Sequence, residues 1–165
     1  MDEDAFWAMI DARVSVSEAL DVDVSALQAA LQRLPLDEIA AFDAILQRLM
    51  RTSYTWSLWG AAYLINGGCS DDGFDYFRAW LIGQGRDIFE RALSDPDSLA
   101  DYCVIDNAGC EDMLSVAVRA YEVASGGGRM PWTPGYRPEL GSRWDFEDAA
   151  EMKARYPRLH GKFAA

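Results

Sequence analysis

The sequence predicts an all-α protein, a compact single domain over residues 1–165 with about six to eight helices around a central tryptophan-rich helix. Apolar residues recur every three or four positions, which is the spacing of a helix face. Glycine and proline fall between these segments, where helices end. The alternating patterns of strands and internal repeats are absent from the sequence. Half of the 165 residues are hydrophobic, which is enough for one buried core.

The first three helices are predicted from apolar stripes. The first spans residues 4–14 and follows acidic residues that suit the positive end of a helix dipole. The second begins with Ser25 as its N-cap and ends before Pro35. The third begins at Leu36. Its stripe has the spacing of an amphipathic helix: Phe42, Ile45, Leu46, Leu49 and Met50.

The middle of the chain predicts the central helix. Residues 53–66 are apolar on every side, which is typical of a buried helix. Gly67-Gly68 ends this helix, because glycine readily adopts the left-handed conformation of a helix C-terminus. Ser70 is the expected N-cap of the next helix, which ends around residues 83–85.

In the second half of the chain, glycine and proline again separate the predicted helices. The expected elements are a short helix over 87–93, a helical turn beginning at Pro96, a helix over 111–124, a Gly/Pro-rich loop over 126–143, a last helix over 146–156 and a short tail over 160–165. In the helix over 111–124, the apolar face is expected to hold Leu114, Ala117, Val118 and Tyr121.

Several motifs occur together along this helical pattern. They are Phe6-Trp7, Leu58-Trp59-Gly60-Ala61-Ala62, Gly67-Gly68-Cys69-Ser70-Asp71-Asp72, Phe77-Arg78-x-Trp80-Leu81-Ile82-x-x-Gly85, Asp95-Pro96-Asp97 and Tyr156-Pro157-Arg158-Leu159. The combination, over residues 6–163, resembles an uncharacterised bacterial family that is frequent in actinobacteria and catalogued as domain of unknown function 4240. Some members are fused to, or found near, a tryptophan-glycine-arginine type domain linked to nucleic-acid transactions. The resemblance implies a regulatory setting and no mechanism.

One polar group is a candidate site: Ser70, Asp71, Asp72 and Arg78, with Glu111 as a further member. Adjacent carboxylates can shift each other's protonation and so provide an acid and a base, or they can hold a hard cation such as Mg²⁺. An arginine can stabilise an anionic substrate. The structural alternative is that Ser70 caps a helix, the aspartates favour its dipole and Arg78 pairs with an acid. The structural alternative is favoured.

The tryptophans form a second candidate group, an aromatic lining of Trp7, Trp56, Trp59 and Trp80. Trp56, Trp59 and Tyr63 share a helix face by their spacing. A pocket for a base or a small ligand is one reading. Packing in the core is the favoured one, because aromatic residues at helical spacing usually pack internally.

The predicted loop over 126–143 mixes arginine with aromatic residues, as some nucleic-acid-binding surfaces do: Arg129, Trp132, Tyr136, Arg137 and Arg143. The net charge of the chain is −12. Residues 1–47 and 71–112 each carry a net charge of −8, which repels a phosphate backbone. Direct nucleic-acid binding is therefore disfavoured, and intramolecular bracing or contact with a basic protein partner is expected.

The remaining features of the sequence predict the location of the protein in the cell and its cofactors. The start Met1-Asp2-Glu3-Asp4 lacks the positive charge of a secretory signal, and no apolar run is long enough to span a membrane. We therefore expect a cytoplasmic protein that binds no membrane. Three cysteines and one histidine, His160, do not form a recognisable zinc site, so no metal and no cofactor are expected.

These observations rank three functions. The leading hypothesis is an acidic protein-binding or regulatory module, and an enzyme is the less favoured reading. The first alternative is a small hydrolase or transferase that acts on a phosphorylated or nucleotide substrate through the Ser70-Asp71-Asp72/Arg78 region. The second alternative is an immunity or antitoxin protein whose acidic face covers a basic toxin site. The sequence does not set the oligomeric state.

Overall fold

A computed structural model describes residues 1–13, 23–102, 108–131 and 138–164 of the chain. Over these ranges the prediction of an all-α fold is confirmed, since they hold α-helices, one 3₁₀ helix and no strand. The helices are α1 (Glu3–Asp11), α2 (Val24–Leu31), α3 (Leu36–Thr52), α4 (Trp56–Ile65), α5 (Asp71–Gly83), α6 (Arg86–Ser94), the 3₁₀ helix (Pro96–Asp101), α7 (Glu111–Ala124), α8 (Ala149–Arg155) and α9 (Pro157–Phe163).

Short polar side chains begin several of these helices. Ser70 caps α5 as expected, and its Oγ accepts a hydrogen bond from the backbone N–H of Gly73 at 3.1 Å. The N-cap of α2 is Asp23, whose carboxylate accepts from Ala26 N at 2.9 Å. The expected cap, Ser25, therefore lies inside the first turn, two residues after the observed cap. The expected end of the first helix, Val14, lies outside the described residues.

The core is organised around α4 and α5. Helix α5 packs against α3, α4, α6 and α7, and α4 packs against α5, α9 and the 3₁₀ helix. The centre of the protein is thus shared by two helices, where the sequence predicted one. Trp59 of α4 is only 7% exposed, and eight of the thirteen residues of α5 are buried.

Helix α7 packs against α2, α3 and α5 with a different face from the one expected. Its buried residues are Met113, Val116, Ala117 and Ala120. Val118 is 45% exposed. The sequence of α7 carries two overlapping apolar stripes. The stripe that faces the neighbouring helices begins at Met113, one residue before the stripe that was expected to do so.

The C-terminal region also differs from the expectation. Residues 146–148 precede α8, and residues 160–163 form the last turn of α9, where a short tail was expected. Tyr156 separates the two helices, and Pro157 occupies the first turn of α9, where its missing N–H costs no helical hydrogen bond. The expected loop over 126–143 is free of helix at 126–131 and 138–143, and its remaining residues lie outside the described ranges.

Asp97 of the 3₁₀ helix fixes the start of α9. Its carboxylate is 6% exposed and accepts the backbone N–H groups of Arg158, at 3.2 and 3.1 Å, and of Leu159, at 2.9 Å. These N–H groups have no partner inside the helix, so a carboxylate from another element satisfies them. The Asp95-Pro96-Asp97 and Tyr156-Pro157-Arg158-Leu159 motifs therefore meet in space.

Gly60 of α4 makes room for the residue that precedes α9. The phenol of Tyr156 donates to the backbone oxygen of Ser57 at 2.7 Å, and burial raises the pKa of this phenol well above its usual range, so it stays a donor. A Cβ atom at position 60 would lie 2.5 Å from the Tyr156 oxygen. The glycine in Leu58-Trp59-Gly60-Ala61-Ala62 is thus required by the close approach of this ring.

The helices of the described ranges differ in length and hydropathy from a membrane-spanning helix. None of them combines the length and the apolar character that crossing a bilayer requires.

Candidate functional site

Arg78, which the sequence placed in a candidate site, lies in the protein interior. It is 3% exposed, it donates to the backbone oxygens of Phe74 and Met50, and it forms an ion pair with Asp75. Its guanidinium carbon lies 4.8 Å from the ring centroid of Phe74 and 4.9 Å from that of Tyr54. A buried guanidinium needs this density of acceptors and ring faces, so the contacts support a structural role.

Ser70, Asp71 and Asp72 lie at the exposed start of α5. Ser70 is committed to the cap, and the two aspartates occupy the first turn, where negative charge favours the helix dipole. The carboxylate that pairs with Arg78 belongs to Asp75, one turn further along the helix. Successive residues diverge by about 100°, so Asp71 and Asp72 point to different sides of α5.

Glu111 lies on the α7 side of this helix start. Its charge, together with burial and the charge of Asp72, raises the pKa of the Tyr76 phenol above its ordinary value. The backbone also joins the two helices here, since Cys110 N donates to Tyr76 O at 3.0 Å. The structure thus brings Asp72 and Glu111 to Tyr76, whereas Asp71 and Arg78 lie on the side of Cys69.

Cys69 precedes the start of α5, a place where a thiolate is often stabilised. Burial nevertheless raises the pKa of the Cys69 thiol to about 11, more strongly than the charge of Arg78 lowers it. The thiol is therefore protonated at neutral pH. Its position supports packing, as expected for a partly buried cysteine.

Trp7, Trp59 and Trp80 are buried in the core, Trp56 is partly buried against it, and the four rings belong to two groups. Trp56, Trp59 and Trp80 belong to a continuous series of ring contacts that runs through Phe74 and Phe77, with neighbouring centroids 4.6 to 6.4 Å apart. Trp7 lies in a separate group that includes Phe6, Phe42 and Phe89. Most of their indole N–H groups have acceptors, such as Cys69 O for Trp59 at 3.0 Å and Gly141 O for Trp56 at 3.1 Å.

A cleft with a volume of about 1150 Å³ opens at the other end of α5. It is lined by the end of α1, the α5–α6 turn, α6, the 3₁₀ helix and α9. The turn is tight because Gly85, between α5 and α6, has a φ of +94°, which favours glycine. Its lining residues are Asp11, Gln84, Gly85, Arg86, Asp87, Ile88, Glu90, Arg91, Ser94, Asp95, Ser98, Asp101, Tyr102 and Arg158.

Charged residues of both signs form the walls of this cleft. Arg86 pairs with Asp4 and with Glu90, both at 2.7 Å, and its backbone N–H donates to Asp11 at 3.2 Å. Arg158 pairs with Asp101, and Arg91 donates to the phenol oxygen of Tyr102. These pairs are exposed, so each contributes little to stability. Five carboxylates and three guanidinium groups line the cleft, which leaves it net negative.

Two residues that line the cleft also carry buried polar atoms without partners. Five buried side-chain nitrogen or oxygen atoms among the described residues lack a hydrogen bond: Trp80 Nε1, Gln84 Oε1, Ser98 Oγ, Arg119 Nε and Trp144 Nε1. Two of them belong to Gln84 and Ser98, which line the cleft from α5 and from the 3₁₀ helix. Such atoms are uncommon in native proteins and mark places where water or a ligand completes the structure.

Sequence reasoning missed this cleft because five elements build it. The one signal available was the run Arg86-Asp87-x-x-Glu90-Arg91, which gives α6 a strongly charged exposed side. Nothing in the sequence marks Gln84 or Ser98. No group of three or more histidine, cysteine, aspartate or glutamate side chains that could hold a metal ion is found over the described ranges.

Comparison with known proteins places the chain in a family. No curated protein and no solved structure matches it. A family model described as "Protein of unknown function (DUF4240)" matches residues 1–123, about three quarters of the chain. The match includes α1 to α7, and with them all of the cleft except the wall that Arg158 provides. The chain belongs to the DUF4240 family.

Proposed function

We propose that the protein is a binding module that engages a basic protein partner through the acidic face around the cleft. One observation carries the proposal: acidic residues from both acidic stretches of the sequence, 1–47 and 71–112, lie together around this cleft. Asp4 and Asp11 from the first stretch contact Arg86 in the second.

The acidic face around the cleft consists of Asp4, Asp11, Asp87, Glu90, Asp95 and Asp101. The side chain of Asp4 is 87% exposed and that of Glu90 is 56% exposed, so both carboxylates are accessible to a partner in solution. Carboxylates arranged on one face attract a positively charged surface over about a Debye length, and they repel nucleic acid and anionic lipid. The chemistry of the face therefore favours a partner rich in lysine and arginine.

A basic peptide and a matched pair of variants test this proposal. The double variant Asp87→Asn/Glu90→Gln removes two charges from the acidic face. The control Glu122→Gln/Glu139→Gln removes two charges from exposed positions that do not line the cleft. Both variants have the same net charge. We expect deca-lysine, followed by fluorescence anisotropy, to bind the first variant about tenfold more weakly than the wild type, and the control less than about twofold more weakly.

Two results would overturn the proposal. If the two double variants lose the same amount of affinity for deca-lysine, binding depends only on the net charge of the protein. Binding that does not weaken between low and high salt would show that the acidic face does not drive it.

A further inference from the structure

We propose that the floor of the cleft is a pocket for the head group of an organic cation, a guanidinium or an ammonium, which donates hydrogen bonds to the side-chain oxygens of Gln84 and Ser98. This inference rests on the proposed function, because it names the chemical group that the acidic face would recognise. Three features of the cleft carry it: the hydrogen bonds of Gln84, the unpaired hydroxyl of Ser98 and the charge of the walls.

Gln84 presents an acceptor of fixed orientation. Its side chain is almost completely buried, and its Nε2 donates to the backbone oxygen of Trp80 at 3.0 Å. Because only the nitrogen of the amide can donate to a carbonyl, this bond decides which end of the amide is which. The Oε1 atom is left without a donor. A buried carbonyl oxygen without a donor is destabilising, so a ligand that supplies an N–H to it gains affinity.

Ser98 adds a second polar atom on another wall. It lies in the 3₁₀ helix, it lines the cleft, and its Oγ has no hydrogen-bond partner among the described residues. A hydroxyl can accept one hydrogen bond while it donates another, so it complements a group with several N–H donors. A guanidinium offers five such donors in a plane, and an ammonium offers three.

The charge of the walls selects a cation over a neutral donor. The three arginines of the cleft already have partners within the protein, namely Asp4, Glu90, Asp101 and the phenol of Tyr102. Asp87 forms no ion pair with any described residue and lies exposed in the first turn of α6. The negative field is therefore available to a positively charged ligand at the mouth of the pocket.

The cation can come from a free small molecule or from a lysine or arginine side chain of the partner. Both sources present the same N–H donors to Gln84 and Ser98. Two probes separate them: argininamide, which carries a free α-ammonium group, and the terminally blocked tripeptide acetyl-Gly-Arg-Gly-amide. Tighter binding of argininamide indicates a free small cation, and tighter binding of the tripeptide indicates a side chain of a protein.

Titration followed by ¹H–¹⁵N NMR tests the pocket. We expect argininamide to produce saturable shifts of the Gln84 side-chain amide and of the Ser98 and Arg86 backbone amides. Citrullinamide, its neutral analogue of the same shape, serves as the ligand control. In the variant Gln84→Leu we expect argininamide to bind at least about tenfold more weakly, since the variant lacks the acceptor of one charged hydrogen bond. The variant Gln28→Leu, on α2, should bind like the wild type.

Three results would overturn the pocket: binding of citrullinamide as tight as that of argininamide, unchanged affinity in Gln84→Leu, or shifts confined to the start of α5. The two proposals also fail separately. If deca-lysine binding depends on Asp87 and Glu90 while argininamide does not bind, the pocket is refuted and the binding module stands. If argininamide binds through Gln84 while deca-lysine does not bind, the pocket stands and the protein partner is refuted.

Discussion

The two ends of α5 differ in how well their polar groups are satisfied. At the start of the helix, Ser70 caps the backbone and Arg78 is surrounded by acceptors. At the other end, Gln84 is buried with an acceptor atom that has no donor. The start of α5 has the more conspicuous sequence, but its polar groups serve the fold. The difference teaches that a conspicuous motif can be accounted for by the fold alone, whereas an unsatisfied buried atom is what the proposed pocket rests on.

The largest effect expected from this comparison is that of Arg78→Leu. The substitution removes the buried guanidinium that pairs with the Asp75 carboxylate and donates to the Met50 carbonyl, so we expect the free energy of unfolding in urea to fall by about 3 kcal/mol. Asp71→Asn and Asp72→Asn are the controls and should change it by less than about 0.5 kcal/mol. A loss in either control as large as that of Arg78→Leu would mean that the start of α5 works as one polar unit.

The second effect concerns the wall of the cleft that α9 provides. Asp97→Ala removes the acceptor for the backbone N–H groups of Arg158 and Leu159, and we expect it to lower the free energy of unfolding by about 2 kcal/mol. Hydrogen exchange should accelerate most in α9. Asp97→Asn keeps one acceptor oxygen, so we expect it to lower the free energy of unfolding by about half as much as Asp97→Ala. Unchanged exchange in α9 would show that this carboxylate does not fix the helix.

A smaller effect is expected at the unsatisfied end of α5. Gln84→Leu removes an unpaired acceptor and also the hydrogen bond to Trp80 O, and these two changes oppose each other. We therefore expect the free energy of unfolding to change by less than about 1 kcal/mol, although the affinity for argininamide is expected to fall at least about tenfold. If Gln84→Leu instead lowers the free energy of unfolding in urea by more than about 2 kcal/mol, Gln84 has a structural role, like Arg78 of α5.

The smallest effect is the reactivity of Cys69. Because burial raises the pKa of this thiol to about 11, little thiolate forms at pH 8.5, and the fraction increases only as the pH approaches that pKa. We expect iodoacetamide to modify Cys69 about tenfold more slowly than free cysteine, as measured by mass spectrometry of its tryptic peptide. Rapid modification at pH 7 would show a stabilised thiolate and would make the start of α5 a reactive site.

The sequence predicted local features well and long-range features poorly. The helices, the Ser70 cap and the end of α4 just before Gly67 follow from patterns within a few residues, whereas α2 ends at Leu31, four residues before Pro35. The partner of Arg78 and the buried face of α7 depend on which neighbours each helix meets, so periodicity alone leaves them open.

The C-terminal region and the cleft show the same limit more clearly. Helix α9 is short, and its start is fixed by Asp97, which lies about sixty residues earlier in the chain. Gln84 became notable only when the structure showed its amide buried beside residues from α6, the 3₁₀ helix and α9. No spacing rule relates residues that meet in this way, because tertiary packing brings them together.

A crystal structure of the protein with argininamide at high resolution is the most direct test of the cation pocket. The account predicts the guanidinium in the cleft, with a nitrogen at about 2.7–3.2 Å from Gln84 Oε1 and a second contact to Ser98 Oγ. A structure in which Gln84 Oε1 instead accepts from Trp80 Nε1 or from an ordered water, with argininamide bound elsewhere, would contradict it.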